Sequence, residues 1–410
     1  INAIMLLVAF KAVSAPASDN GVSPTAFTSA SSVGHSMTPK SAEDNSESSK
    51  LAKHSAQRAT VALRAMRKTD MCKYFPSPIE KEWTDASAKG KICEIAGRPN
   101  QVIAANLWLQ YAAEANLRNP TVEEREVLSR FECSNELGTW TEWIEPLTGI
   151  ARHPFAKVHC PWSPVSVRSE TNDIFDLSYL IPANACEFAD GGANASAASK
   201  TLTATAKAKF FDLGCATFDR EKAEEAAEEA APSDPNAAPF NPDATFTAGS
   251  AAGSSLPLFD TAYNRNCLPL TDMYGWEAIE YKPSDYWASV PPADRARLHF
   301  FNVPITEDDG VASFSEMLKA SATASDFIGV KVDIDYVPVE HKIVNDIKDK
   351  PELTALVDEL YFEYHFWFDD LDFGWGSQTG GANYVEDSVD DAMALMSGLR
   401  QKGIRTHFWI

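Results

Sequence analysis

Four short apolar runs in the second half of the chain end in groups that can do chemistry. Asp212 and Gly214 follow the first, Glu277 the second, Asp333 and Asp335 the third, and Glu363 with His365 the fourth. An imidazole titrates near neutral pH and gains basicity from a nearby carboxylate, so His365 beside Glu363 is a candidate general base. Asp333 and Asp335 are two residues apart, and alternate residues of a strand share a face, so both carboxylates could grip one divalent ion. A histidine that merely hydrogen-bonds at a strand end, and a chance D-x-D in an acidic chain, are the plain alternatives. One or two polar strand ends are ordinary because strand ends are wet. Four predict one polar rim.

Such a rim needs elements to hold it. Strands are predicted over Lys207–Leu213, Tyr274–Ala278, Leu298–Ile305, Phe327–Ile334, Val357–His365 and Ile404–Ile410. Helical patterning falls between them. It covers Leu256–Cys267, Phe314–Leu318, and the stretch carrying Val339, Ile343 and Ile347 with Pro338 in its first turn. A last stripe, Val389, Ala392, Met393, Met396 and Leu399, is stopped by Gly403. Strands separated by helices predict an α/β, Rossmann-like, mostly parallel sheet with helices on both faces. In such sheets the ligand lies beyond the carboxyl ends of the strands, near the point where strand order reverses.

From Lys207 to Ile410 the segments FFDLGCATF, YGWEAIE, LHFFNVPIT, FIGVKVDID and VDELYFEYH occur in an order that resembles the FkbM-like class I S-adenosylmethionine-dependent methyltransferases. The resemblance implies that Asp212 and Gly214 hold the methionine end of S-adenosylmethionine and that Glu277 accepts its ribose hydroxyls. It further implies that Asp333, Asp335, Glu363 and His365 line the side of a small-molecule or carbohydrate acceptor that is O-methylated. The family's K-x-D-x-E-G signature reads Lys331-Val332-Asp333-Ile334-Asp335-Tyr336 here, with Asp in place of Glu and no glycine. An apolar strand ending in D-x-D also resembles metal-dependent nucleotide-sugar glycosyltransferases, in which the pair would hold a divalent metal. A non-catalytic Rossmann-like module is the third reading.

The formal net charge is −22 over 410 residues, a balance that repels phosphate polyanions and argues against nucleic acid as a partner. The domains are expected as a signal- or anchor-like segment with a disordered linker (1–50), a mainly helical cysteine-containing region (51–200), and the methyltransferase-like domain (201–410). The apolar run Ala3–Phe10 is too short to span a bilayer, and the small residues of VSAPAS follow it, as in a secretory signal; a membrane anchor of a longer gene product is the other reading. Residues 220–253 are rich in Ala, Glu, Pro and Gly and predict a surface insertion.

Seven cysteines with no CxxC disfavour zinc and suit disulfides in the secretory pathway. In the helical region Gln101–Leu117 is a strong helix, and Thr121 with Glu124 predicts a capping box. The run GTWTEWIEPLTGIARHPFAKVHCP is expected as a loop between Cys133 and Cys160, stapled by a disulfide, with its tryptophans packed and Arg152 paired to Glu145. Its other reading is a binding surface.

Overall fold

The computed structural model describes residues 72–114, 119–135, 138–152, 160, 179–186, 207–218, 255–306, 313–366 and 387–409. The predicted signal segment, the linker and the insertion lie outside the described residues.

The first elements are β1 (Cys72–Phe75), α1 (Pro78–Ala86), α2 (Ile92–Ala96), α3 (Pro99–Glu114), α4 (Val122–Val127), β2 (Ser129–Asn135) and β3 (Gly138–Ile144), closed by a 3-10 turn over Leu147–Arg152. Ser77 caps α1, with Pro78 in the first turn where a missing N–H costs nothing. Thr121 and Glu124 form the expected capping box on α4. Helices are thus joined by a three-stranded antiparallel sheet, β1-β2-β3, which helical patterning did not foresee. The run GTWTEWI is strand β3 and not a disulfide-stapled loop. Cys133 pairs with Cys72 across β1 and β2, Cys160 pairs with Cys93, and Cys186 pairs with Cys267. Cys215 stays a buried free thiol.

The second set runs β4 (Ala208–Leu213), α5 (Ser255–Arg265), β5 (Asp272–Trp276), α6 (Pro283–Ser289), β6 (Leu298–Phe301), α7 (Phe314–Ser321), β7 (Phe327–Val332), α8 (Val337–Asp349), α9 (Pro351–Thr354), β8 (Glu359–Phe362), α10 (Val389–Gln401) and β9 (Arg405–Phe408). The six strands form one sheet in the order β6-β5-β4-β7-β8-β9, parallel throughout. Counted along the domain this is 3-2-1-4-5-6, the doubly wound Rossmann order, and the order reverses between β4 and β7.

Alternation along the strands divides the core in two. Phe211, Leu213, Val330, Val332 and Leu360 face α7, α8 and α10, while Phe210, Tyr361 and Trp409 face α5 and α3. Four of the six predicted strands run two or three residues past the observed ends and β6 was predicted four residues too long, because the groups that close these segments already belong to the loops, while β4 ends where expected. Among the described residues no helix is long and apolar enough to cross a membrane.

The amino-terminal elements lean on β9 through buried charge. Arg400 of α10 is fully buried and donates to Tyr74 Oη (3.0 Å), to the Glu145 carbonyl (2.9 Å) and to Glu145 Oε1 (3.2 Å). His407 lies between Glu145 (Nδ1, 2.7 Å) and Glu359 (Nε2, 2.8 Å). Arg405 donates to Glu359 (3.1 Å) and to Glu142 (3.4 Å). Glu145 is therefore held by Arg400 and His407, whereas Arg152 donates to the Ala96 carbonyl (2.7 Å). The expected Arg152–Glu145 pair is replaced by a weld between the small sheet and the large one.

Candidate functional site

The carboxyl ends of β4, β7 and β8 are built around Lys331. It lies on β7 in register with Asp212 on β4 and is almost fully buried. Its Nζ reaches Asp212 Oδ1 (3.3 Å), Asp333 Oδ2 (2.7 Å) and the Gly214 carbonyl (3.4 Å). Ser255, the first residue of α5, donates its hydroxyl to the other oxygen of Asp212 (2.5 Å). Burial pushes the Asp212 carboxyl up, against the pull of Lys331 and Ser255. Burial alone would lower Lys331, yet Asp212 and Asp333 hold its ammonium well above the ordinary lysine range.

Gly214 turns the chain at φ +91°, and a Cβ there would fall 1.6 Å from the Asp333 carbonyl oxygen. The glycine is needed because the β4 turn and the β7 end touch backbone to backbone at the point of strand reversal. The Gly214 and Cys215 amides both donate to the Trp276 carbonyl (3.0 Å each). Asp212 and Gly214 thus hold the switch point together, the carboxylate engaged by Lys331 and Ser255.

Glu277 follows β5 directly. Its Oε2 accepts from the Ala216 amide (3.0 Å) and its Oε1 from the Ile279 amide (2.7 Å). Asn302, just past β6, donates to the carbonyls of Glu277 (2.9 Å) and Ile279 (2.6 Å), which fixes the loop. A carboxylate offers about four acceptor positions, so Glu277 retains two beyond those amides. The acceptor positions left at Glu277 fit the ribose end of S-adenosylmethionine.

Asp333 and Asp335 lie past the end of β7, and Asp335 has φ +54°, so strand alternation fails there. The two carboxylates part. Asp333 accepts from Lys331 and from Trp409 Nε1 (2.9 Å) and is hydrogen-bonded to Glu363. Asp335, exposed at the mouth, gathers with Glu363 and His365, one ligand atom from each lying within 4.8 Å of the others. Of the D-x-D pair it is Asp335, and not Asp333, that joins this group of potential metal ligands.

Glu363 and His365 follow β8, and His365 Nε2 lies 3.2 Å from Glu363 Oε2. Burial raises the Glu363 carboxyl well above the usual range and adjacent Asp333 adds to this. Burial also acts to raise Asp333, but Lys331 outweighs it and the carboxyl is lowered. The two neighbouring carboxyls are thus pushed in opposite directions, Glu363 up and Asp333 down. Asp335 is raised by its low-dielectric wall and by Asp333.

Glu340 on α8 was not anticipated. It is fully buried, its Oε1 accepts from the Ile334 amide (2.9 Å), and burial pushes its carboxyl up to about 7. In sequence it reads as one more helical charge, near the start of a helix where acids are common. Only the fold turns that side of α8 toward β7. Lys331 and Trp409 were likewise absent from the predicted site, although both alternate onto the face that carries Asp212 and Glu363.

The structure thus brings Asp212, Asp333, Asp335, Glu363 and His365 into one connected group. Glu277 stands apart from it, across the β4 turn. Set against protein-family models, curated proteins and solved structures, the chain matches none.

Proposed function

We propose that the Rossmann-like domain is an FkbM-like S-adenosylmethionine-dependent methyltransferase that O-methylates a hydroxyl of a carbohydrate or small metabolite. One observation carries this reading: Glu277 ends the second strand of a 3-2-1-4-5-6 parallel sheet with acceptor capacity to spare. Glu277 would hold the ribose diol. When bound, the cofactor supplies an electrophilic methyl group. Asp333, Asp335, Glu363 and His365 line the acceptor side. Their negative charge favours a neutral acceptor over a phosphorylated one. The hydroxyl's proton passes to His365, whose Nε2 lies 3.2 Å from Glu363 Oε2. Lys331 and Trp409 hold Asp333 and, through it, the position of Glu363.

Three disulfides suit an oxidising compartment, and with the apolar start of the sequence they support a place in the secretory pathway.

Calorimetry with S-adenosylhomocysteine tests the cofactor assignment. The expected result is one site, weakened at least tenfold by Glu277→Ala and changed less than twofold by Asp335→Asn. Absence of binding to the unaltered chain ends the methyltransferase reading.

A further inference from the structure

The strand-end group is rich in acid. Among the described residues Asp212, Asp333, Asp335, Glu340 and Glu363 lie with one lysine, Lys331, and one histidine, His365. Asp212 and Asp333 take up Lys331. Asp335, Glu363 and His365 bring ligand atoms within 4.8 Å of one another.

A second and independent observation concerns Glu340. Its side chain is fully buried, and its Oε2 has no hydrogen-bond partner among the described residues. Its other oxygen is bonded to the Ile334 amide, between Asp333 and Asp335 in sequence. The same carboxylate interacts electrostatically with His365, Asp333 and Asp335. A buried carboxylate oxygen left without a donor is costly, on the order of 1–3 kcal/mol, unless something positive reaches it. The Ile334 amide that holds its other oxygen immediately precedes Asp335 in the chain.

We propose that Asp335, Glu363 and His365 bind one divalent transition-metal ion at the ends of β7 and β8, with the buried carboxylate of Glu340 as an outer negative charge. Two carboxylates and one imidazole combine hard oxygen donors with a nitrogen, and this mixture suits Mn²⁺ better than Mg²⁺, which keeps its water, or Zn²⁺, which favours sulfur and nitrogen. Ligands about 2.1 Å from an ion stand at most about 4.2 Å apart, so three atoms within 4.8 Å of one another need close by no more than about 0.6 Å. Asp335, exposed at the mouth, leaves the ion open to solvent on one side. Asp333, hydrogen-bonded to Glu363 and held by Trp409 and Lys331, is the outer partner that orients a ligand. The ion site rests on this group alone and stands whether or not a methyl is transferred. In a methyltransferase the ion would bind the acceptor hydroxyl and lower its pKa, the proton passing to solvent on the open side in place of His365.

The test uses the whole chain with MnCl₂, followed by calorimetry and electron paramagnetic resonance. The expected result is one equivalent bound, electron-spin-echo modulation from a coordinated ¹⁴N, and affinity reduced at least tenfold in Asp335→Asn and in His365→Gln. The ¹⁴N modulation is read on the unaltered chain, so the outcome does not depend on a variant folding. No binding, binding without ¹⁴N modulation, or affinity unchanged in both variants overturns the proposal; the last two mark ions held loosely by an acidic surface. S-adenosylhomocysteine binding is read separately, so failure of the ion site and failure of the cofactor assignment are distinct results.

Discussion

Two buried charge clusters lie on the large sheet, and their difference separates what holds the chain together from what is available to a ligand. In the weld to the amino-terminal sheet, Glu80, Glu142, Glu145 and Glu359 meet Arg400, Arg405 and His407. Backbone amides complete the carboxylates: Ile181 donates to Glu145 and Ala183 to Glu359, each at 2.8 Å. At the carboxyl ends of β7 and β8 five acids lie with one lysine and one histidine among the described residues, and Glu340 Oε2 is left without a hydrogen-bond partner there. A fully answered buried network fixes one arrangement of the chain. An incompletely answered one is a place where stability is given up, as binding sites do.

The comparison is most exposed at Arg400. Replacement by Met keeps much of the volume and leaves Glu145, Glu80 and Tyr74 without their cation. Breaking a buried pair from one side costs about 3–5 kcal/mol, because the remaining charge is stranded. Urea denaturation of Arg400→Met should show that loss. A change under about 1 kcal/mol would mean that the weld is ornamental and that the two clusters do not differ in kind.

Acid sharpens the same contrast. Burial acts to raise Glu359, but hydrogen bonds from His407 and the charges of His407 and Arg405 outweigh it, and the carboxyl is held down at about 2. A glutamate in the unfolded chain titrates near 4.3. A depressed folded value means stability that is present above about pH 4.3 and lost as pH falls toward 2, on the order of 3 kcal/mol in all. Melting followed from pH 6 to pH 2.5 should fall steeply below about pH 4.5, and Glu359→Gln should flatten that fall. A melting point that declines equally in the variant would place the acid-sensitive groups elsewhere.

The large sheet was legible in the sequence because it rests on local signals. FIGVKV and KFFDL are apolar runs of strand length, Gly403 stops the last helix at φ +88°, and Pro338 opens α8, so order and class followed. The site was half legible. Asp333, Asp335, Glu363 and His365 sit at strand ends, where position alone marks them. Their roles are set by backbone that the pattern does not encode, above all the positive φ at Asp335 that sends it away from Asp333. The weld was not legible at all, since the partners of Arg400 lie 255 and 326 residues away. GTWTEWI shows the opposite error: alternating Thr and Trp is a strand signal, and proximity to two cysteines drew it toward a loop.

The smallest expected effect bears on the other cluster and carries the opposite sign. Glu340→Gln keeps the shape of the side chain. Its carbonyl oxygen still accepts from the Ile334 amide, and its new N–H₂ replaces the bare oxygen. The change removes an orphaned buried acceptor and one charge that repels Asp335 and Glu363. Stability at pH 8, measured by urea denaturation without added metal, should rise by about 1 kcal/mol. Saturating Mn²⁺ should stabilise the unaltered chain more than the variant, since a ligand for the native state adds stability in proportion to its affinity. A variant less stable than the parent in metal-free buffer would show that Glu340 is a satisfied member of the fold, and the two clusters would then be alike.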